Sequence, residues 1–178
     1  MIDLHVLVSA DTPERWVDHA LDTAMKAATR APVPVFLYVL DGIPGHIGRA
    51  RAKGYAMGSS PYATFLDDDD WLDVDAFAGI DAALASSPPA VLCRETLWQN
   101  GIGKPGGAGH HLTVVRRDEL IQHAEWPCCG DVVQNMKALR DPRSVRLDGY
   151  RYHHRLYPSS KARLMRHANP AELEAARG

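Results

Sequence analysis

Four consecutive aspartates, Asp67-Asp68-Asp69-Asp70, close the apolar run Tyr62-Ala63-Thr64-Phe65-Leu66 and are followed at once by Trp71. Adjacent ionised carboxylates repel one another, so such a run needs water, cationic partners or a bound metal. On an extended strand alternate side chains share a face, which would bring Asp67 and Asp69 together. Two carboxylates placed that way offer the oxygen ligands that hard divalent cations take. The competing reading is a solvated turn in which Asp70 caps the next helix. Other residues with usable chemistry are Asp41 before Gly42, Arg49 and Arg51, Asp131 after Cys128-Cys129-Gly130, and the pairs His110-His111 and His153-His154.

The chain that must position these groups has 178 residues, room for one domain with a substantial core. A formal charge of −2 with 24% charged residues excludes a broadly basic nucleic-acid-binding surface, though not a local patch. Met1 to Val8 is too short and wrongly flanked for a signal peptide, and no apolar run reaches the length of a membrane span. Three cysteines, with no CxxC spacing, make neither a disulfide framework nor a zinc site. A cytoplasmic location is expected.

Ile2–Val8 reads as a buried first strand and Trp16 to Ala28 as a helix, with Thr12 as cap and Pro13 in its first turn. Val35–Leu40 is a second strand stopped by Asp41-Gly42, completing a βαβ unit and predicting a parallel sheet. A small basic helix over Ile47–Met57 precedes the strand that ends in the aspartates. Asp73–Ser86 is expected to be helical and Val91-Leu92-Cys93 to lie in a strand. Gly101 to Gly109 reads as a mobile loop, followed by a strand at His111–Val115 and helices near Asp118–Ala124 and Gly130–Leu139. Val145-Arg146-Leu147 and Tyr150–His154 read as short, paired strands. Residues 1–160 form the expected domain, and 161–178 a basic, then Ala/Glu-rich tail.

The order of these pieces resembles the family-2-type glycosyltransferases of the GT-A fold. The match covers residues 2 to 95: a strand–helix–strand ending in Asp41-Gly42, the helix Gly48-Arg49-Ala50-Arg51-Ala52, and the strand end Phe65-Leu66-Asp67-Asp68-Asp69-Asp70. It implies a single-domain α/β, Rossmann-like, three-layer fold with a mostly parallel central sheet. It also implies transfer of a sugar from a nucleoside-diphosphate sugar, with UDP as the nucleotide, to an acceptor hydroxyl. Asp41 would meet the nucleotide base, Arg49 or Arg51 the phosphates, and Asp67 or Asp68 the ribose or a metal-bound water. Asp69 would hold Mn²⁺ or Mg²⁺, with His154 as a further metal ligand. The many relatives that carry an Asn near the two arginines are not matched here.

For the acceptor side the family's acid at the start of a helix maps onto Asp131, as base in an inverting displacement. Cys129-Gly130 stands where another acid often precedes, and an N-cap is the other job open to Asp131. His110 and His111 are expected to line the acceptor cleft, Trp98 and Trp126 to stack on a sugar or in the core, and Gly103–Gly109 to close as a lid. The acceptor could be a polysaccharide, a lipid, a protein or a modified base in nucleic acid, the last supported only by the basic stretch Lys161–His167. A nucleotidyltransferase is the rival enzyme class, opposed by the lack of a glycine-rich loop in Ser9-Ala10-Asp11-Thr12-Pro13. A catalytically degenerate nucleotide-sugar-binding module is the third reading.

Overall fold

The computed structural model describes residues 1–43, 47–108, 111–120 and 137–156. Its first half follows from the alternation in β1 (Ile2–Val8). Ile2, Leu4 and Val6 point to one face, where they meet Ala20, Ala24 and Ala27 of helix α1 (Glu14–Arg30). Leu7, on the opposite face, packs with Leu40 and with Ala50 of helix α2 (Ile47–Tyr55). Pro13, not Thr12, is the N-cap of α1, one position outside the helix. Strand β2 (Val35–Asp41) and strand β3 (Tyr62–Asp67) flank β1, both parallel to it. A sheet with a helix on each face is the expected three-layer arrangement, and the order β2-β1-β3 ends all three strands on one side.

Beyond β3 the sheet is mixed, which corrects the expectation of a mostly parallel one. Strand β4 is Trp71–Leu72, β5 Ala90–Gln99, β6 Ile102–Ala108, β7 Val114–Arg116 and β8 Val145–Arg155. Their order continues β3-β7-β5-β8-β4, with β6 also on β5. Only β5 and β8 pair in parallel; β3–β7, β5–β7, β5–β6 and β4–β8 are antiparallel. Short β7 pairs Ala90 and Val91 of β5, and β6 pairs Arg94 to Gln99, so the two strands share the length of β5.

Several local expectations fail for identifiable reasons. The glycine-rich stretch is not a loop through 108: it forms β6, a hairpin partner of β5 turned at Asn100-Gly101, both with positive φ. Pro105 is tolerated there because, among the described strands, β6 pairs with β5 alone. The helix expected over Asp73–Ser86 is cut to α3 (Ile80–Leu84), since successive turns occupy 74–79 and Gly79 takes φ 74°. The two short strands of the C-terminal half are one strand, β8, which bends at Gly149 and pairs with β5 instead of with itself. Near Asp118 only a single 3-10 turn, Arg117–Glu119, is described. The expected start of a helix at Gly130 lies outside the described residues, while 137–140 are helical. No described helix is long and apolar enough to cross a membrane.

Candidate active site

The aspartate run sits where the parallel strands end, the side of an open α/β sheet on which ligands bind. Asp67 is the last residue of β3 and shares its face with Phe65, the face covered by α2. That register brings Arg51 of α2 to Asp67, Nη2 to Oδ1 at 2.9 Å, with the guanidinium over the Phe65 ring. Asp68 points the other way and is buried, its Oδ2 accepting the Ser9 N–H at the end of β1 at 2.6 Å. Burial raises its pKa, which the Ser9 hydrogen bond opposes.

Past Asp67 the chain turns, with Asp70 N–H donating to the Asp67 carbonyl. Asp70 does not cap a helix, because β4 begins at the next residue. Its carboxylate is 1% exposed and faces β8: Oδ2 accepts from Tyr152 Oη at 2.7 Å and lies 2.9 Å from His154 Nδ1, while Oδ1 accepts the Arg155 N–H at 2.7 Å. The Tyr152 hydroxyl also accepts the Asp67 N–H, so one buried phenol ties both ends of the turn to β8. Asp69 alone of the four has no hydrogen-bond partner among the described residues. Burial, reinforced by Asp70, Asp67 and Asp68, pushes its pKa up to about 8. His154 moves too. Burial disfavours its charged form, but the Asp70 hydrogen bond and the charges of Asp70, Asp67 and Glu95 outweigh that and lift its pKa to about 9.

A second histidine completes the cluster. His111 is 8% exposed and lies against the Tyr152 ring, centroids 4.6 Å apart, and the His154 ring, 4.4 Å apart. Its Nδ1 is hydrogen-bonded to Glu95 on β5, and its Nε2 faces Asp67 Oδ2 at 4.0 Å. Ligand atoms of Asp70, His111 and His154 all lie within 4.8 Å of one another, a group able to hold a metal ion.

Among the residues singled out from sequence, the fold therefore brings Arg51, Asp67, Asp68, Asp69 and His154 to one place. Asp41 ends β2 opposite Val8, exposed, where Gly42 allows close approach: a Cβ there would lie 3.0 Å from the Val8 carbonyl oxygen. Arg49 is exposed on α2. Trp98 packs with Trp71 and donates its Nε1–H to His153 Nδ1, a structural setting. Asp131, His110, Trp126 and residues 161–178 lie outside the described residues. Sequence reasoning missed Glu95, Tyr152 and the inward role of His111. The one available signal was an acid in the apolar run Ala90-Val91-Leu92-Cys93, since a buried carboxylate needs a partner.

No protein-family model matches the sequence, and a search of characterised proteins gives no match. Solved structures do resemble it. TarS of S. aureus superposes with a TM-score of 0.66 at 16% identity, over 98% of this chain and 41% of TarS. The fold is GT-A-like. TarS 1–349 in complex with UDP-GlcNAc gives a TM-score of 0.62 at 12% identity, covering 88% of this chain and 58% of that one. Rv0371c of Mycobacterium tuberculosis H37Rv, in complex with manganese, gives 0.52 at 16% identity over 94% and 97%. The chain thus spans less than half of TarS and nearly all of Rv0371c.

Proposed function

We propose that this GT-A-like domain transfers a sugar from a nucleoside-diphosphate sugar, of the UDP type, to an acceptor hydroxyl with help from a divalent cation. The observation that carries the reading is the carboxylate and imidazole cluster at the carboxyl ends of β1 and β3. Asp69 supports it most directly: a carboxylate pushed up by burial and three neighbouring acids is relieved by a cation. That S. aureus TarS has been solved with UDP-GlcNAc, and Rv0371c with manganese, agrees with such a ligand.

In this reading Asp69 and His154 would hold Mn²⁺ or Mg²⁺, which would supply positive charge to offset that of the diphosphate leaving group. Asp41 accepts a hydrogen bond from the base, and Asp67 or Asp68 orients the ribose. Arg51 is engaged with Asp67 and steadies it, which leaves exposed Arg49 for the phosphates. Asp131 takes the proton of the acceptor hydroxyl as its oxygen bonds to the anomeric carbon. The bond from that carbon to the diphosphate oxygen breaks, and the configuration inverts.

Thermal shift with a panel of nucleotide-sugars and nucleoside triphosphates, with and without Mn²⁺, tests the reading. The expected result is a cation-dependent rise in Tm with one sugar nucleotide, abolished in Asp69→Ala. Stabilisation by triphosphates alone would mark a nucleotidyltransferase instead. With the donor identified, Asp131→Asn should cut transfer at least about a hundred-fold while donor binding persists; unchanged turnover removes Asp131 as base.

A further inference from the structure

Strand β2 is an edge, and it carries none of the devices that keep an edge from pairing. The sheet order begins with it, and among the described strands it pairs with β1 alone. An edge strand presents N–H and C=O groups to any strand that arrives, so monomeric proteins guard such edges with lysine, proline, a bulge or a short length. β2 runs seven residues, Val35-Phe36-Leu37-Tyr38-Val39-Leu40-Asp41, with no proline and no cation. Its register with β1 is unbroken from Val35 to Asp41, so it has no bulge. Both of its faces are apolar and open. Phe36, on the α2 side with Tyr38 and Leu40, is 47% exposed, and Val39, on the α1 side with Val35 and Leu37, is 54% exposed. Ile43 just beyond the strand, and Met57 next to Gly58, which lies against the Tyr38 hydroxyl, are each 37% exposed. Exposed apolar side chains gathered along one open edge mark a contact surface.

We infer that β2 is the dimerisation edge of this protein: it pairs antiparallel with β2 of a second copy, joining the two sheets into one. The strand is complementary to itself. A two-fold axis at Tyr38, its middle residue, sets Phe36 against Leu40 and Leu37 against Val39 of the second copy, so apolar meets apolar on both faces. Charge selects this direction. Asp41 is the strand's single charged residue, and parallel pairing in register would set two of them side by side. Antiparallel pairing instead parts them by the length from Val35 to Asp41, about 20 Å at about 3.3 Å per residue. It also carries each Asp41 toward the end of the second copy's strand where α1 finishes in exposed Arg30. An unrelated strand has no reason to match an edge that is apolar on both faces and acidic at one end, whereas a second copy does so by symmetry. Since β1, β2 and β3 end on one side of the sheet, the acid clusters of the two copies face opposite sides. The two clusters therefore lie apart, and the inference holds whatever reaction they perform.

Sedimentation velocity of the full chain over a range of concentrations tests it. Wild type should sediment as a dimer at about 100 μM. Val39→Lys and Phe36→Lys, both at exposed positions, should each weaken self-association at least about ten-fold, with circular dichroism unchanged. A charge at position 39 meets its own counterpart diagonally across the axis, so Val39→Glu should weaken association as well. An equimolar mixture of Val39→Lys and Val39→Glu should then restore a dimer that neither forms alone, and a variant that merely failed to fold would not be rescued in this way. A wild type that is monomeric at about 100 μM, its edge left for another protein's strand, overturns the inference. So does a dimer indifferent to charge at both 36 and 39.

Discussion

Each aspartate of the run meets a different neighbour, and the differences set their chemistry. Asp67 is matched by a guanidinium, Asp68 by a backbone N–H and Asp70 by a phenol, an imidazole and a backbone N–H. Asp69 has no hydrogen-bond partner among the described residues. That these acids would gather with His154 was legible in the sequence, but which acid faces which partner was not. Strand alternation stops at Asp67, and the next three residues lie in a turn whose direction β8, more than 80 residues away, decides. A different residue makes a pH prediction. His5 is fully buried beside Tyr38, Tyr55 and Phe65, donating its Nδ1–H to the Thr64 carbonyl, with no hydrogen-bond partner for Nε2 among the described residues. Burial lowers its pKa below the ordinary 6.5, so across the window between the folded and unfolded values the unfolded chain binds more protons. Its contribution is complete above the ordinary histidine range and is lost as pH falls through it. Urea unfolding at about pH 8 and about pH 5 should show a fall in stability that is smaller in His5→Phe; equal falls would refute the assignment.

Among the elements, β1 is tied to its neighbours by a polar clamp as well as by its apolar face. Asp3 is fully buried and accepts from the Ser60 N–H at 2.9 Å and Ser60 Oγ at 2.6 Å, and is ion-paired with Arg117. Arg117 also donates to the carbonyls of Ser60 and Tyr55, so the end of α2, the approach to β3 and the exit from β7 meet at one carboxylate. Asp3→Ala leaves those donors unmatched and should cost about 3 kcal/mol in chemical denaturation; a loss under about 1 kcal/mol would show that water replaces the carboxylate. The βαβ start, α2 and the strand ending in the acids were readable because each carries its own local pattern. β6 was not, since glycine and proline there describe a loop by propensity and only pairing with β5 makes a strand. The same holds for β8, whose break at Gly149 imitates a boundary between two strands.

Taken whole, the molecule joins a layered parallel unit, β2-β1-β3 between α1 and α2, to a mixed unit built on β5 and β8, and the cluster lies at their junction. Acids come from the first unit, while Glu95, Tyr152 and His154 come from the second. Neither unit contains the whole cluster, and the contacts between them span long stretches of sequence, which is why the acids were easier to anticipate than their partners. In the hairpin strand β6, Gly106 lies hard against Glu95. A Cβ at Gly106 would stand 2.5 Å from Glu95 Cγ and 2.9 Å from the Glu95 carbonyl oxygen, so even alanine must push that side chain or its strand aside. Gly106→Ala is therefore expected to loosen the Glu95–His111 pair and to lower stability in urea unfolding by about 1 to 3 kcal/mol, although it removes no polar group; an unchanged stability would mean that β6 yields instead. In a saturation mutagenesis screen for function, tolerance would then fall to a minimum at a glycine in a stretch whose composition resembles a linker, because the hairpin's smallest residue sets the reach of a carboxylate behind the histidine.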